Sequence, residues 1–259
     1  MLAGYLAALI MGLTLGMIGA GGSILTVPIL VYIFGVNPIL ATAYSLFVVG
    51  TTALVGALGF ARAGTIDYRA AALFGLPSVA SVFAVRLWVV PNLPAEILGL
   101  GKGTFVLVVF ALVMLLAAIS MIRPKKEPAS AAETAPQAAR VPIAIAEGLF
   151  VGAITGFVGA GGGFLIVPAL VFFLQLSMRR AIGTSLLVIA CKSLIGFCGD
   201  VGGSASIDWG FLFLFTAVSS IGIIAGVRLS GKVPAGRLKI AFGWFVLLTG
   251  IAIILVELF

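Results

Sequence analysis

Long runs without charged side chains dominate this sequence and limit what it can fold into. A helix needs about 20 apolar residues to cross the about 30 Å hydrocarbon core of a bilayer. Five uncharged runs approach or reach this length: Ile39–Ala61, Ala70–Val85, Gly103–Ile122, Trp209–Val227 and Ile240–Val256. A sixth, Ala181–Gly199, is interrupted only by Lys192. Charged residues make up 9% of the chain, against about a quarter in a typical soluble domain. The sequence therefore predicts an all-α, multi-pass membrane protein surrounded by lipids.

Two further apolar segments, Leu2–Phe34 and Val141–Gln175, are too long for one helix, and glycines interrupt both. Gly16–Val31 aligns without gaps to Gly156–Val171 at an offset of 140, with 10 of 16 positions identical. The sequence therefore predicts two homologous transmembrane repeats, residues 1–122 and 141–259. The segment between them, residues 123–140, is rich in proline, alanine and charge, which is typical of a solvated linker.

The number of crossings predicts how the halves are oriented. If each glycine-interrupted segment is a hairpin that returns to its starting side, three more spans give each half an odd number of crossings. The second half is then inverted relative to the first, a common transporter architecture. Because basic loops face the cytoplasm, we expect the linker to be cytoplasmic and both termini to lie outside the cell inner membrane. The basic residues assigned to the cytoplasmic face are Arg62, Arg69, Arg123, Lys125, Lys126, Arg140, Arg179, Arg180, Arg228, Lys232, Arg237 and Lys239.

Both glycine clusters are candidates for one substrate site. Irregular backbone at membrane depth is tolerated only inside protein or beside a water-filled cavity. The helix that restarts after each cluster presents amide N–H groups and a positive dipole end, which favour an anion. Close helix packing is the alternative use of such glycines. The candidate residues are Gly21, Gly22, Ser23, Gly161, Gly162 and Gly163.

Lys192 is a further candidate, because an ionisable side chain within a span is costly and is a functional hypothesis by default. It could balance an anionic substrate or neutralise a carboxylate elsewhere in the protein, whereas the alternative to a functional role is a side chain that extends to the interface. Nearby hydroxyls could donate to oxyanion oxygens or, alternatively, could hydrogen-bond between helices; they are Ser45, Thr52, Thr184 and Ser185. Arg86 and Arg228, aligned near the ends of equivalent spans, are expected to anchor at the interface.

Several function classes lack their sequence signatures. The chain has no histidine and no Gly-x-Ser-x-Gly elbow, so the usual nucleophile and base pairings of hydrolases are missing. It has no phosphate-binding loop, and neither glycine cluster completes the dinucleotide fingerprint. Its basic residues flank apolar runs rather than alternating with aromatics, which does not favour nucleic acid. We expect no catalytic residues, no cofactor and no metal ion.

The duplicated Gly-x-x-Gly-Ala-Gly-Gly-Gly/Ser-x-Leu-x-Val-Pro-x-Leu, together with Gly183-Thr-Ser-Leu186 and Gly226-Val-Arg-Leu229, resembles the sulfite exporter TauE/SafE family, within the TSUP permeases. The resemblance implies an inner-membrane permease that moves sulfite, sulfonates or related sulfur oxyanions. We therefore expect a secondary transporter working by alternating access around a site at the membrane midplane. The alternatives are a passive anion channel and an intramembrane enzyme.

Overall fold

The computed structural model describes residues 2–18, 22–122, 137–172, 174–201, 207–229 and 235–258. A short hairpin of β1 (Glu96–Ile97) and β2 (Leu100–Gly101) precedes the fifth helix. The helices in chain order are α1 Leu2–Ile18, α2 Gly22–Ile33, α3 Pro38–Arg62, α4 Tyr68–Val89, α5 Lys102–Ile122, α6 Gln137–Val158, α7 Gly163–Phe172, α8 Met178–Val201, α9 Trp209–Leu229 and α10 Ala235–Leu258.

Seven helices within these described ranges are long and apolar enough to cross a membrane: α3, α4, α5, α6, α8, α9 and α10. Large apolar side chains such as Leu76, Leu116 and Leu248 are exposed on the outside of the bundle. Contiguous apolar surface of this kind is typical of a membrane-facing protein. The predicted all-α, multi-pass membrane fold is confirmed.

Each glycine-interrupted segment forms a helical hairpin. In the first half, Gly4 of α1 lies against the ring of Phe34, just beyond α2. In the second half, Val141 of α6 and Leu176, beyond α7, line the same cavity. These contacts agree with the predicted return of each hairpin to its starting side. The returning arm α7 has 10 residues, about 15 Å at 1.5 Å per residue, and is too short to cross the hydrocarbon core alone.

The boundary of the linker differs from the prediction. Residues 123–136 lie outside the described part of the chain, but α6 begins at Gln137 rather than after Arg140. The residues that extend the helix, Gln137-Ala-Ala-Arg140, are all strong helix formers. Helix α6 therefore begins four residues inside the segment that the sequence assigns to the linker.

The two halves exchange packing partners. Helix α1 of the first half packs along α9 of the second, and α6 of the second half packs along α4 of the first. Glycines permit both approaches. A Cβ on Gly12 would overlap the carbonyl oxygen of Ser219, and a Cβ on Gly152 would lie 2.5 Å from the carbonyl oxygen of Ser78. Gly12 and Gly152 are related by the 140-residue offset of the glycine motifs. The repeat seen in the sequence is thus also a repeat of helix contacts.

Helices α3 and α8 form the centre of the bundle. Their span windows are 67% and 72% buried, against 44% or less for the other spans. Gly50 lies beside Leu194, whereas Phe60, farther along α3, lies beside Gly183, which comes earlier in α8. The two helices occupy equivalent positions in the repeat and run in opposite directions.

Exposed arginines collect at one end of the bundle, here called the arginine-rich end. The Asp67 carboxylate accepts a hydrogen bond from the Ala70 N–H and caps α4, while the Asp67 N–H donates to Thr184 of α8 at 3.0 Å. This contact places the α3–α4 loop beside the start of α8. The exposed arginines at this end are Arg62, Arg69, Arg179, Arg180 and Arg228.

Candidate functional site

The second glycine break separates α6 from α7 at residues 159–162. Gly159 and Gly162 have φ angles of +73° and +65°, in a region that glycine adopts without steric cost. The chain becomes helical again at Gly163, and the first amides of a helix have no acceptor within that helix. The Leu165 and Ile166 N–H groups donate to the Gly162 carbonyl, so the donors that the break presents are the N–H groups before Leu165, together with the positive end of the helix dipole.

The start of α2 meets the second break between the central helices. A Cβ placed on Gly161 would lie 3.1 Å from the Ser23 Cβ, at the start of α2, and 3.1 Å from Ile189 Cγ2 of α8. The same Cβ would overlap Val49 of α3. Val49 and Ile189 each lie near the middle of a long span. We call the contact between Ser23 and Gly161 the break junction.

Lys192 lies beside this junction. Its side chain is 1% exposed, and its Nζ donates a hydrogen bond of 2.8 Å to Thr155 Oγ1 of α6. A Cβ on Gly162 would lie 2.8 Å from the same Nζ, so the ammonium group packs against the break. Within the described part of the chain, Arg86 and Asp200 form an ion pair, whereas Lys192 forms none with a carboxylate. A buried ammonium without a counter-ion is costly, and an anion would relieve that cost.

Hydroxyl groups extend the polar surface along the central helices. Ser45 and Thr52 lie on either side of Val49 in α3, and Ser193 follows Lys192 in α8. All three are fully buried, and their hydroxyl oxygens have no hydrogen-bond partner among the described residues. Hydroxyls can turn to donate to an oxyanion. Buried, unpaired hydroxyls therefore lie on both central helices, α3 and α8, which also carry Val49 and Lys192.

A family model described as sulfite exporter TauE/SafE matches residues 4–253. The chain belongs to the sulfite exporter TauE/SafE family. It is 31% identical over 255 residues to a probable membrane transporter protein of Xylella fastidiosa (strain 9a5c), covering 95% of this chain and 91% of that protein. It is 26% identical over 246 residues to the probable membrane transporter protein YunE of Bacillus subtilis (strain 168), covering 88% and 84%. No solved structure matches the chain. Family and relatives indicate a membrane transporter.

The predicted glycine residues of this TauE/SafE-family chain fall into different environments. Gly161 and Gly162 contact the break junction and Lys192, and Gly163 opens α7. Gly22 instead packs against the backbone of Met11 and Leu15 in α1, where it allows the arms of the first hairpin to approach closely. Gly21 lies outside the described residues.

Two of the predicted hydroxyls already bind backbone groups. Thr184 Oγ1 accepts the Asp67 N–H, and Ser185 Oγ donates to the Ile182 carbonyl at 2.8 Å. The first contact recurs in the other half, where the Tyr44 hydroxyl accepts the Asp208 N–H at 2.6 Å. Residues 44 and 184 are related by the 140-residue offset. Each therefore accepts a hydrogen bond from the residue that precedes a helix of the opposite half.

The structure adds two polar residues that sequence reasoning missed or misplaced. Thr155, the partner of Lys192, has no sequence signal, because the two residues meet only when α6 packs beside α8. The prediction that Arg86 anchors at the interface is wrong, because its side chain is 0% exposed. The alignment with Arg228 caused the error: Gly199 packs against Arg86, whereas its counterpart Gly59 packs against Val227. A one-residue shift rotates a side chain by about 100° around a helix.

Proposed function

We propose that this TauE/SafE-family chain is a permease that carries a small sulfur-containing oxyanion, such as sulfite or a sulfonate, across the cell inner membrane. The observation that carries the proposal is the break junction, where Ser23 and Gly161 meet beside the buried ammonium of Lys192. Compact oxyanions suit amide and hydroxyl donors around one cation. The family's description as sulfite exporters supports the sulfur oxyanion as substrate class.

Alternating access of the two halves is the proposed mechanism. Its support is that the equivalent helices α3 and α8 run in opposite directions, and that α1 and α6 exchange equivalent partners. Repeats of this kind can rock against each other around a fixed midplane site. We propose that the second half is inverted relative to the first and that the break junction lies where the halves meet.

The proposed orientation follows from the distribution of arginine. The arginine-rich end carries five exposed arginines, and positive loops favour the cytoplasmic side. The linker would then be cytoplasmic and both termini would lie outside. Whatever the orientation of the protein, an inside-negative potential assists export of an anion by about 2.3 kcal/mol per charge for each 100 mV.

Flux in proteoliposomes tests the proposed function. Purified protein reconstituted in liposomes is expected to move sulfite, sulfate, thiosulfate or taurine, with saturation and with accelerated exchange when unlabelled substrate is present on the far side. Imposing a potential that is negative inside should accelerate efflux of the anions. Empty liposomes serve as the control. The permease proposal fails if none of the four compounds moves, and linear flux without exchange would contradict the carrier mechanism.

A further inference from the structure

Arg86 forms a second buried cationic site, apart from Lys192. It lies in a π-helical turn, Val85–Val89, at the end of α4, and turns of this kind occur frequently at functional sites. Its Nη1 donates to Thr42 Oγ1 at 3.0 Å and to both Asp200 carboxylate oxygens, at 3.2 and 3.4 Å. These contacts connect α4 and α3 of the first half to the end of α8 in the second.

One edge of the guanidinium group is unused. Arg86 Nε and Nη2 are buried and have no hydrogen-bond partner among the described residues. These two nitrogens present parallel N–H groups, the edge with which arginine binds two oxygens of one oxyanion. Asp200, the ion-pair partner, engages only Nη1. The edge of Arg86 that can bind two oxygens of one oxyanion is therefore not occupied by any of the described residues.

The Arg86 group is linked to the break junction through α3. Thr42, its hydrogen-bond partner, packs against Gly159 at the start of the second break. Thr42, Ser45, Val49 and Thr52 are all buried and recur at intervals of three and four residues, so they follow one face of α3. Along α8, Asp200 lies eight residues beyond Lys192, or about 12 Å at 1.5 Å per residue, in the direction away from the arginine-rich end.

We infer that Arg86 is a second anion-binding residue, which takes an oxyanion through Nε and Nη2 on the side of Lys192 opposite the arginine-rich end. The inference rests on the proposed function, because it adds a further step to the same translocation path. Asp200 holds Arg86 in place between substrates, and the bound oxyanion shares the guanidinium with it. An anion passes between Arg86 and Lys192 along the hydroxyls of α3.

Arg86→Lys tests the inference because lysine keeps the positive charge but lacks the two-nitrogen edge. In sulfite counterflow with reconstituted protein, this variant is expected to raise the half-saturating sulfite concentration at least tenfold. Its melting temperature in detergent should stay close to that of the wild type. Arg228→Lys, an exposed arginine at the end of α9, is the matched control and should leave both quantities unchanged.

Asp200→Asn separates binding from a structural role. If Arg86 binds the anion, removing the negative charge of Asp200 beside the bound anion should make added sulfite raise the melting temperature more than it does for the wild type. If the ion pair is purely structural, both variants should have lower melting temperatures, with no change in the half-saturating sulfite concentration or in the stabilisation by sulfite. That result overturns the inference about Arg86 but leaves the proposed function standing. Absence of sulfite flux and sulfite stabilisation in the wild type overturns both the inference and the proposed function.

Discussion

Lys192→Met is expected to reduce oxyanion flux at least a hundredfold while leaving the protein as stable as the wild type or more stable. A hundredfold loss corresponds to about 2.8 kcal/mol, within the range of a hydrogen bond or ion pair to a buried charged group. Methionine has a similar volume and removes an ammonium that lacks a carboxylate among the described residues. Replacing buried charge by apolar groups of similar volume is often neutral or stabilising.

The measurement combines initial rates of sulfite flux with thermal unfolding in detergent. Lys102→Met is the matched control, because Lys102 lies at the start of α5, where its Nζ donates to the Pro91 carbonyl at 3.4 Å. That variant should retain flux. A Lys192→Met protein that transports at the wild-type rate would show that the proposed site does not need this cation. One that fails to fold would instead give Lys192 a structural role.

Gly161→Ala is expected to abolish flux and to lower the free energy of unfolding by about 1–3 kcal/mol, the usual cost of overpacking. The added methyl group would overlap Val49 and would lie 3.1 Å from Ser23 and from Ile189. Ser23 forms the break junction with Gly161, and Val49 and Ile189 lie beside it on the central helices, so the strain acts at the junction. Any relaxation must separate the breaks or push apart α3 and α8.

The matched control for this variant is Gly75→Ala in α4. There the new Cβ would meet Val188 Cγ2 at 3.4 Å, an ordinary van der Waals contact, and alanine favours the helix. Flux and melting temperature should therefore stay near the wild-type values. If Gly161→Ala and Gly75→Ala behave alike in both assays, the break junction is neither tightly packed nor required for transport.

The features predicted from the sequence are those with strong local signals. Uncharged runs such as Gly103–Ile122 are long and apolar enough to cross lipid, whatever their neighbours are, and they cross as helices because an unpaired backbone group in lipid is costly. The glycine breaks were visible because they occur twice at a fixed offset. Lys192 stood out because a cation is rare within an apolar span.

The remaining features depend on which helices meet. The sequence predicts both Thr184 and Ser45 as ligands. In the structure, the Thr184 hydroxyl accepts a hydrogen bond from the Asp67 N–H, whereas the Ser45 hydroxyl has no partner among the described residues. Only the approach of α4 to α8 distinguishes them. Arg86 shows the same dependence. A single-residue shift in the alignment decides whether its side chain is predicted to face lipid or the interior of the bundle, where Asp200 lies.

Selenite, the selenium analogue of sulfite, offers the most direct measurement on the central claim. Crystals grown with selenite, with diffraction data collected at the selenium absorption edge, would locate the bound anion by anomalous scattering. We expect a peak within hydrogen-bonding distance of Lys192 Nζ and in contact with the junction of Ser23 and Gly161. A continuous helix through residues 159–162, or a selenium peak only at sites distant from both breaks, would contradict the account.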